Sequence, residues 1–351
     1  MKVALDTTAT YTSRAGAARY IRGLQRGFAE LGAPGFSFSP IAWKVENLDY
    51  QQPTRALKTL YRELIWAPIK APGLIRDSGA DVFHSPSNWF ISPPKGTPHV
   101  ITLLDLALIR FPERYRPWFR CAGRKRLSHL PRAQKIITIS EFTANEAMEL
   151  LGLPADKLVP IHLGNDFSDT AGEEGLRPPD LPEEPFFLFV GSLEPGKNLQ
   201  LIRQAYEMAS TKLPALAIAG ARWEGVANEG KPPANWHYLG HVADAELEWL
   251  YRNAIALVFP TKYEGFGFPL LEAMSLDCPT IASKIASLPE IGLEATLWVE
   301  QDAEAYAKAM TRVMEDQDLR SDLITKGHKR AGQFSWKRCA EATLEVYRSA
   351  L

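Results

Sequence analysis

The stretch Ile255–Glu272 reads IALVFPTKYEGFGFPLLE. A short apolar run, Ile255–Phe259, has the length and composition of a buried strand. Two glycines follow, Gly265 and Gly267, and then Pro269, a residue suited to the first position of a helix. Strand, glycine turn and helix in succession make one unit of a parallel sheet with crossover helices. Gly265 and Gly267 let the backbone approach a ligand closely. The N–H groups of Leu270, Leu271 and Glu272 are expected to stand free at the helix tip, where an anion such as phosphate is favoured. Glu264 and Glu272 lie eight residues apart, one before the helix and one expected in its first turn. A carboxylate accepts two hydroxyl hydrogen bonds at once, so each suits a vicinal diol. Taken singly, either glutamate is better read as ordinary structure, Glu272 as a charge answering the helix dipole; the whole string favours a ligand.

The same alternation extends in both directions. Upstream strands are expected at 2–6, 36–43, 81–84, 99–104 and 135–139, and later ones at 186–190, 216–219, 280–282 and 296–299. Ala17, Tyr20, Ile21, Leu24 and Phe28 recur at helical spacing between the first two strands. Asp244 is placed to cap a helix carrying Leu247, Leu250, Tyr251 and Ala254 on one face. The stretch 166–185, DFSDTAGEEGLRPPDLPEEP, has no periodicity and is rich in proline, glycine and acids. It divides the chain into an N-terminal Rossmann-like domain at 1–170, a linker at 171–185 and a second Rossmann-like domain at 186–333, with a final helix at 334–351. The fold class is α/β, two doubly wound domains facing a cleft. Ligands of such sheets bind outside the carboxyl ends of the strands.

Two further segments follow strands. Gly191-Ser192-Leu193-Glu194-Pro195-Gly196-Lys197-Asn198 comes after 186–190. Lys197 there reads either as a point charge for a diphosphate or as a solvated lysine. Thr12–Tyr20 precedes the first amphipathic helix; Gly16 would admit a phosphate at that helix tip, and Arg19 lies in its first turn. Asp105 ends a strand and reads equally as an acceptor-hydroxyl ligand or a cap. His84 also ends a strand, as an acceptor-side residue or as a packed core histidine.

Composition narrows the function classes. The chain has 351 residues, 46% apolar and 23% charged, enough for two cores in a globular protein. Lys2 and Asp6 flank a short apolar run too brief for a signal peptide, and no uncharged run reaches membrane-spanning length, so a cytoplasmic protein is expected. Cys121, Cys278 and Cys339 form no paired motif. His237 and His241 have metal-like spacing but straddle a strand end, with no third ligand evident, and no metal site is expected. Residues 1–150 carry a balance of +9 and the remainder −10. The basic excess gathers at 110–135, around Trp118 and Phe119, and at 55–76, with Leu60, Ile65 and Trp66. Both stretches read as solvated helix faces or as peripheral contacts with the anionic inner face of a membrane; no recognised motif for nucleic acid accompanies them.

Together these segments resemble the retaining glycosyltransferases of GT-B fold, and more narrowly the group-1, family-four enzymes of bacterial polysaccharide and lipid assembly. Asp81–Pro86, Thr102–Leu106, Ile139–Phe142, Gly164–Asp166, Phe259–Gly267 and Phe334–Trp336 carry the resemblance, and mannosyltransferases of O-antigen assembly look nearest. It implies a nucleotide-diphosphate sugar as donor, a glycan or lipid-linked acceptor, and no cofactor or metal. It assigns Glu264 to the donor sugar near the reacting carbon and Glu272 to the ribose hydroxyls. Gly265, Phe266 and Gly267 fall to the donor hexose, and Lys197 and Gly16 to the diphosphate. The final helix would pack back on the first domain. The chain departs from the family pattern at Gly196, where an arginine is usual, and at Leu104, where a histidine is usual. Arg14, Arg19 or Arg222 would have to replace the missing cation. An epimerase of similar fold and a catalytically impaired partner subunit are the alternatives.

Overall fold

The computed structural model describes residues 1–12, 16–45, 54–87, 91–167, 175–179, 181, 183–221 and 233–351, with no statement on the side chains of 54–56. The chain divides into two compact units, Met1–Gly164 with Ser335–Leu351, and Asn165–Phe334.

The first unit is built on a six-stranded parallel sheet in the order β2-β1-β3-β4-β5-β6. Its strands are β1 Lys2–Asp6, β2 Ser37–Ile41, β3 Val82–Ser85, β4 His99–Leu103, β5 Lys135–Thr138 and β6 Leu158–Pro160. β3 and β4 are buried throughout, as expected of strands covered by helices on both faces. The second unit repeats the plan with β12-β11-β10-β7-β8-β9. Here β7 is Phe186–Val190, β8 Ala215–Ala219, β9 Trp236–Gly240, β10 Leu257–Phe259, β11 Thr280–Ser283 and β12 Leu297–Val299. The chain runs outward from β7 through β8 to β9, then returns to the other flank of β7 with β10. Strand order therefore reverses between β7 and β10, and their carboxyl ends open the crevice of a doubly wound sheet.

Two strands escape the sequence reading. β6 is three residues long and ends in Pro160, which a ladder tolerates at an edge. β9 was legible only as a strand end near His237; its outer residues are half-exposed because it too lies at an edge. The cap expected at Asp244 belongs to Ala243, whose N–H donates to Glu246 Oε2 at 2.8 Å; Asp244 is the first helical residue. The segment expected as a linker at 171–185 lies within the second unit. Of it, 171–174, 180 and 182 lie outside the described residues. Leu176 N–H donates to the Ala245 carbonyl at 3.0 Å, and the Arg177 guanidinium sits 5.7 Å from the Trp249 ring centre, so its proline-rich course is pinned to helix Asp244–Asn253.

The last helix, Trp336–Ala350, belongs to the first unit. Ser335 caps it, accepting the Arg338 N–H at 3.2 Å. Trp336 fits against Gly23, Gly27 and Gly164, where an added Cβ would come within 2.1–2.3 Å of it. Further along, Tyr347 closes a buried polar chain. Its hydroxyl lies 2.7 Å from His84 Nδ1; His84 Nε2 lies 2.8 Å from Thr102 Oγ1, which meets the Tyr20 hydroxyl at 3.0 Å. His84 is thus a fully buried core histidine with both ring nitrogens engaged, and the acceptor-side role expected of it is corrected.

Burial pushes the His84 imidazole down to about 3, and His99 likewise, the latter 3.0 Å from Ser85 Oγ. Both are held neutral. A base whose pKa falls below its unfolded value of about 6.5 contributes stability above that pH and loses it as pH drops toward 3. Lowering pH from 7 to 5 is expected to cost the first unit about 2 kcal/mol per histidine. Urea unfolding at the two pH values checks this, with a smaller drop in His84→Gln than in the native chain.

Candidate active site

Two turns at the β7–β10 switch are clasped together. The β7 turn leaves through Gly191, which adopts φ 149°. Its carbonyl presses against Gly220, φ 157°, where a Cβ would approach to 1.8 Å, so only glycine fits there. Pro195–Lys197 forms a single tight turn, and Asn198 at φ 57° redirects the chain into helix Leu199–Met208. The buried Gly196 carbonyl accepts two hydrogen bonds from the β10 turn, from Lys262 N–H at 2.8 Å and from Thr261 Oγ1 at 3.2 Å. Gln301 Nε2 holds the Thr261 carbonyl at 2.8 Å from the other side.

This clasp brings Lys197 and Glu264 into direct contact, Nζ against Oε1, although 67 positions separate them. Their side chains retain 18% and 14% of their exposure, enough to reach a ligand while shielding the pair from bulk water. The ammonium also stands 5.8 Å from the Phe259 ring centre. Ser287 Oγ lies 2.9 Å from the carbonyls of both Glu264 and Phe266, so one hydroxyl steadies the turn across Gly265. Ser192 flanks the turn, half-buried.

Helix Phe268–Ser275 begins after Gly267, whose φ of 105° leaves no room for a Cβ beside Leu288. Two expectations for this helix need correction. The amides of Leu270 and Leu271 do not stand free: both donate to the Gly267 carbonyl, at 3.0 and 3.3 Å, closing the first turn because the chain is already wound there. Their side chains are wholly buried. Glu272 is the fifth helical residue, past the first turn. It is buried, and its Oε2 accepts the Tyr251 hydroxyl at 2.7 Å, so one carboxylate oxygen is engaged within the protein.

In the first unit, Gly16 opens helix Gly16–Leu31, and a Cβ there would meet no protein atom within 4 Å. Arg19 is half-buried one turn on. Asp105 lies beyond the end of β4 and accepts the Ala107 N–H at 3.0 Å, just ahead of the short helix Ala107–Arg110, whose cap position is Leu106. It also lines a cavity of about 240 Å³ with Ser87, Leu104, Tyr115, Phe119 and Arg126. The Tyr115 and Phe119 rings stack at 5.5 Å. Arg14 and Arg222 lie outside the described residues. Among the described residues no cluster of three or more His, Cys, Asp or Glu side chains could hold a metal ion.

Sequence reasoning missed several supporting residues. Tyr251 read only as part of an apolar helix face, and Ser287 carried no local signal because its partners lie more than 20 positions away. Gly220 could have been found: it follows β8 as Gly191 follows β7. Asp6 at the end of β1 is likewise buried, its carboxyl pushed up to about 6 by loss of water.

A cation, a carboxylate and glycine-lined backbone at one switch point suit a ligand carrying both phosphate and hydroxyl groups. The comparisons with known proteins agree. The model of group 1 glycosyl transferases matches residues 177–330, and that of glycosyltransferase family 4 matches 14–169. The O-antigen chain mannosyltransferase B of Escherichia coli is 31% identical over 298 residues, covering 80% of this chain and 77% of that protein. The serotype-specific mannosyltransferase WbdA of the same species is 30% identical over 264 residues, covering 69% of this chain and 32% of that longer protein. Among solved structures, the sucrose-phosphate synthase of Thermosynechococcus elongatus superposes with a TM-score of 0.75 at 19% identity, covering 99% of this chain and 98% of that one. Anabaena HepE in complex with UDP-glucose gives 0.73 at 16%, covering 99% and 100%. The chain belongs to the group 1, family-four glycosyltransferases, hexosyltransferases of GT-B fold.

Proposed function

We propose that this glycosyltransferase moves mannose, with retained configuration, from a nucleoside-diphosphate sugar to a hydroxyl of a glycan or lipid-linked acceptor. The observation that carries the reading is the Lys197–Glu264 pair held at the β7–β10 switch by the Gly196 carbonyl. Mannosyl donors are favoured because the two Escherichia coli relatives are mannosyltransferases.

In the reaction, the bond between the sugar C1 and the distal phosphate oxygen breaks, and the electron pair leaves with the diphosphate. The acceptor oxygen bonds to C1 from the same face, and its proton passes to the departing phosphate oxygen. No protein base is required for that transfer. Lys197 moves from Glu264 to the diphosphate and stabilises the charge that develops there. Glu264, relieved of the ammonium, faces the sugar hydroxyls and the cationic ring that forms. Glu272 holds the ribose through the carboxylate that Tyr251 orients. Ser192 and the backbone of Gly265–Gly267 accommodate the phosphates and hexose, with no side chain from the two glycines to interfere. On the acceptor side, the cavity beside Asp105 offers a carboxylate for a hydroxyl and the Tyr115–Phe119 stack for an apolar sugar face.

Gly196 stands where the family usually has a cation. Glycine brings no side-chain charge there, and the charge on the leaving group falls more heavily on Lys197. Lys197→Ala is expected to lower kcat by about 10²–10³, or roughly 2.7–4 kcal/mol, as for loss of one transition-state partner. Glu264→Ala should abolish transfer while leaving the thermal midpoint near that of the native chain. Single-turnover rates and melting curves check both, and full transfer by the Glu264 variant would remove it from the chemistry.

A thermal-shift series with GDP-, UDP-, ADP- and dTDP-sugars identifies the donor. GDP-mannose at a hundredfold excess over its Kd is expected to stabilise the chain by about 2.7 kcal/mol. Stabilisation by a different nucleotide sugar alone would overturn the mannosyl assignment.

A further inference from the structure

We infer that Phe334, backed by Arg330, is a positioning residue for the turn that carries Glu264: its ring holds Phe266 and so fixes the backbone from which Glu264 projects. The inference rests on the role proposed above for Glu264, and all of its residues lie within the second unit.

Phe266 stands between Gly265 and Gly267. Glycine is the least restricted residue in backbone conformation, so a turn of this composition has little stiffness of its own. The stiffness comes from the contacts around Phe266. Its carbonyl lies 2.9 Å from Ser287 Oγ. Gly267 lies so close to Leu288 that a Cβ would meet that side chain at 2.5 Å. The Phe266 ring is buried and meets the Phe334 ring edge-on, with 6.1 Å between centres and 78° between planes. Phe268 adds a second ring contact at 5.3 Å.

Phe334 is held in its turn. It is buried, and the Arg330 guanidinium lies 4.6 Å from its ring centre. The same guanidinium reaches from helix Gln317–Ala331 to the end of helix Leu288–Gly292. There Nε donates to the Ile291 carbonyl at 2.9 Å and Nη2 to the Glu290 carbonyl at 2.7 Å, while Nη1 meets Gln333 Oε1. A planar fork can serve these carbonyls while its face lies on a ring, which an ammonium cannot do. The contacts close on themselves. Ser287 opens the segment that ends at Ile291, Arg330 joins that end to Phe334, and Phe334 returns to Phe266. The turn is thus gripped through its main chain on one side and through an aromatic ring on the other. Glu264 is two residues from Phe266, and its carbonyl lies 2.9 Å from the same Ser287 hydroxyl. A displacement of Phe266 therefore passes to Glu264 through the backbone, and small misplacements of a reacting group are costly in rate.

Hydrogen exchange and kinetics test this together. Phe334→Leu keeps an apolar side chain and loses the ring. In the ligand-free variant the amides of 264–267 are expected to exchange about tenfold faster or more, with those of β7 and β8 unchanged. With GDP-mannose as donor and water as acceptor, kcat for GDP release is expected to fall by about 10- to 100-fold while KM stays within about twofold. Phe334→Tyr restores the ring and should regain most of the lost kcat. Arg330→Ala, at a half-buried position, should move both readouts in the same direction, and it keeps the test decisive if Phe334→Leu fails to fold. A lower melting point with native exchange at 264–267 and native kcat overturns the inference, because Phe334 would then only stabilise the unit. The exchange measurement needs no donor. It reports on the grip of Phe334 even if Glu264→Ala keeps full transfer, an outcome that counts against the role of Glu264 and not against the hold on the turn.

Discussion

The second unit depends on a carbonyl group. Gly196 offers one oxygen to two donors of the β10 turn, and through it two loops that are remote in sequence become one site. Strand order makes this geometry available: β7 and β10 are neighbours only because the chain reverses direction of growth across the sheet after β9. Every feature that follows exploits the closeness. Lys197 meets Glu264, Ser287 steadies the carbonyls on either side of Gly265, and Gly220 lets the β8 loop press on Gly191. A side chain at Gly220 would drive these loops apart by colliding with backbone, which cannot yield as a rotamer can.

The first unit solves a different problem. Its sheet buries several polar groups, and these must find partners or cost stability. They do so in a chain, Tyr20 to Thr102 to His84 to Tyr347, in which every member has a partner. Burial drives the imidazole toward its neutral form and the Tyr347 hydroxyl well above its ordinary pKa, so the chain holds no charge. Its role is to fix the last helix in register, and Trp336 fixes the same helix in depth by filling the space left by three glycines.

Much of this was legible in the sequence, and the failures have causes. The strands that carry sites could be placed because fully apolar runs of buried parallel strands stand out, and 186–190 was placed without error. β6 and β9 were hard to see because edge strands bury one flank and need less apolar character. The glycines and glutamates of 264–272 were found because their chemistry is local. What Glu272 does with one oxygen was not, since Tyr251 sits on another helix. His84 read two ways because a strand-end histidine looks alike whether it faces a crevice or a helix. Only the return of Tyr347 decides the matter. The segment 171–185 misled by composition: its prolines and acids resemble a tether, yet Leu176 and Arg177 are fastened to helix Asp244–Asn253.

The place of Trp336 has a bearing on how the molecule is made. The first 164 residues lack the aromatic plug and the tyrosine that complete their core, and both arrive only at 336 and 347. A ribosome delivers the second unit whole before it delivers those parts. The half that emerges first therefore cannot mature first, and it waits with an open groove along Gly23 and Gly27 until residues 336–347 have been made. Birth order and folding order run opposite here, which makes the nascent first unit the stage most exposed to mispairing or to capture by a chaperone.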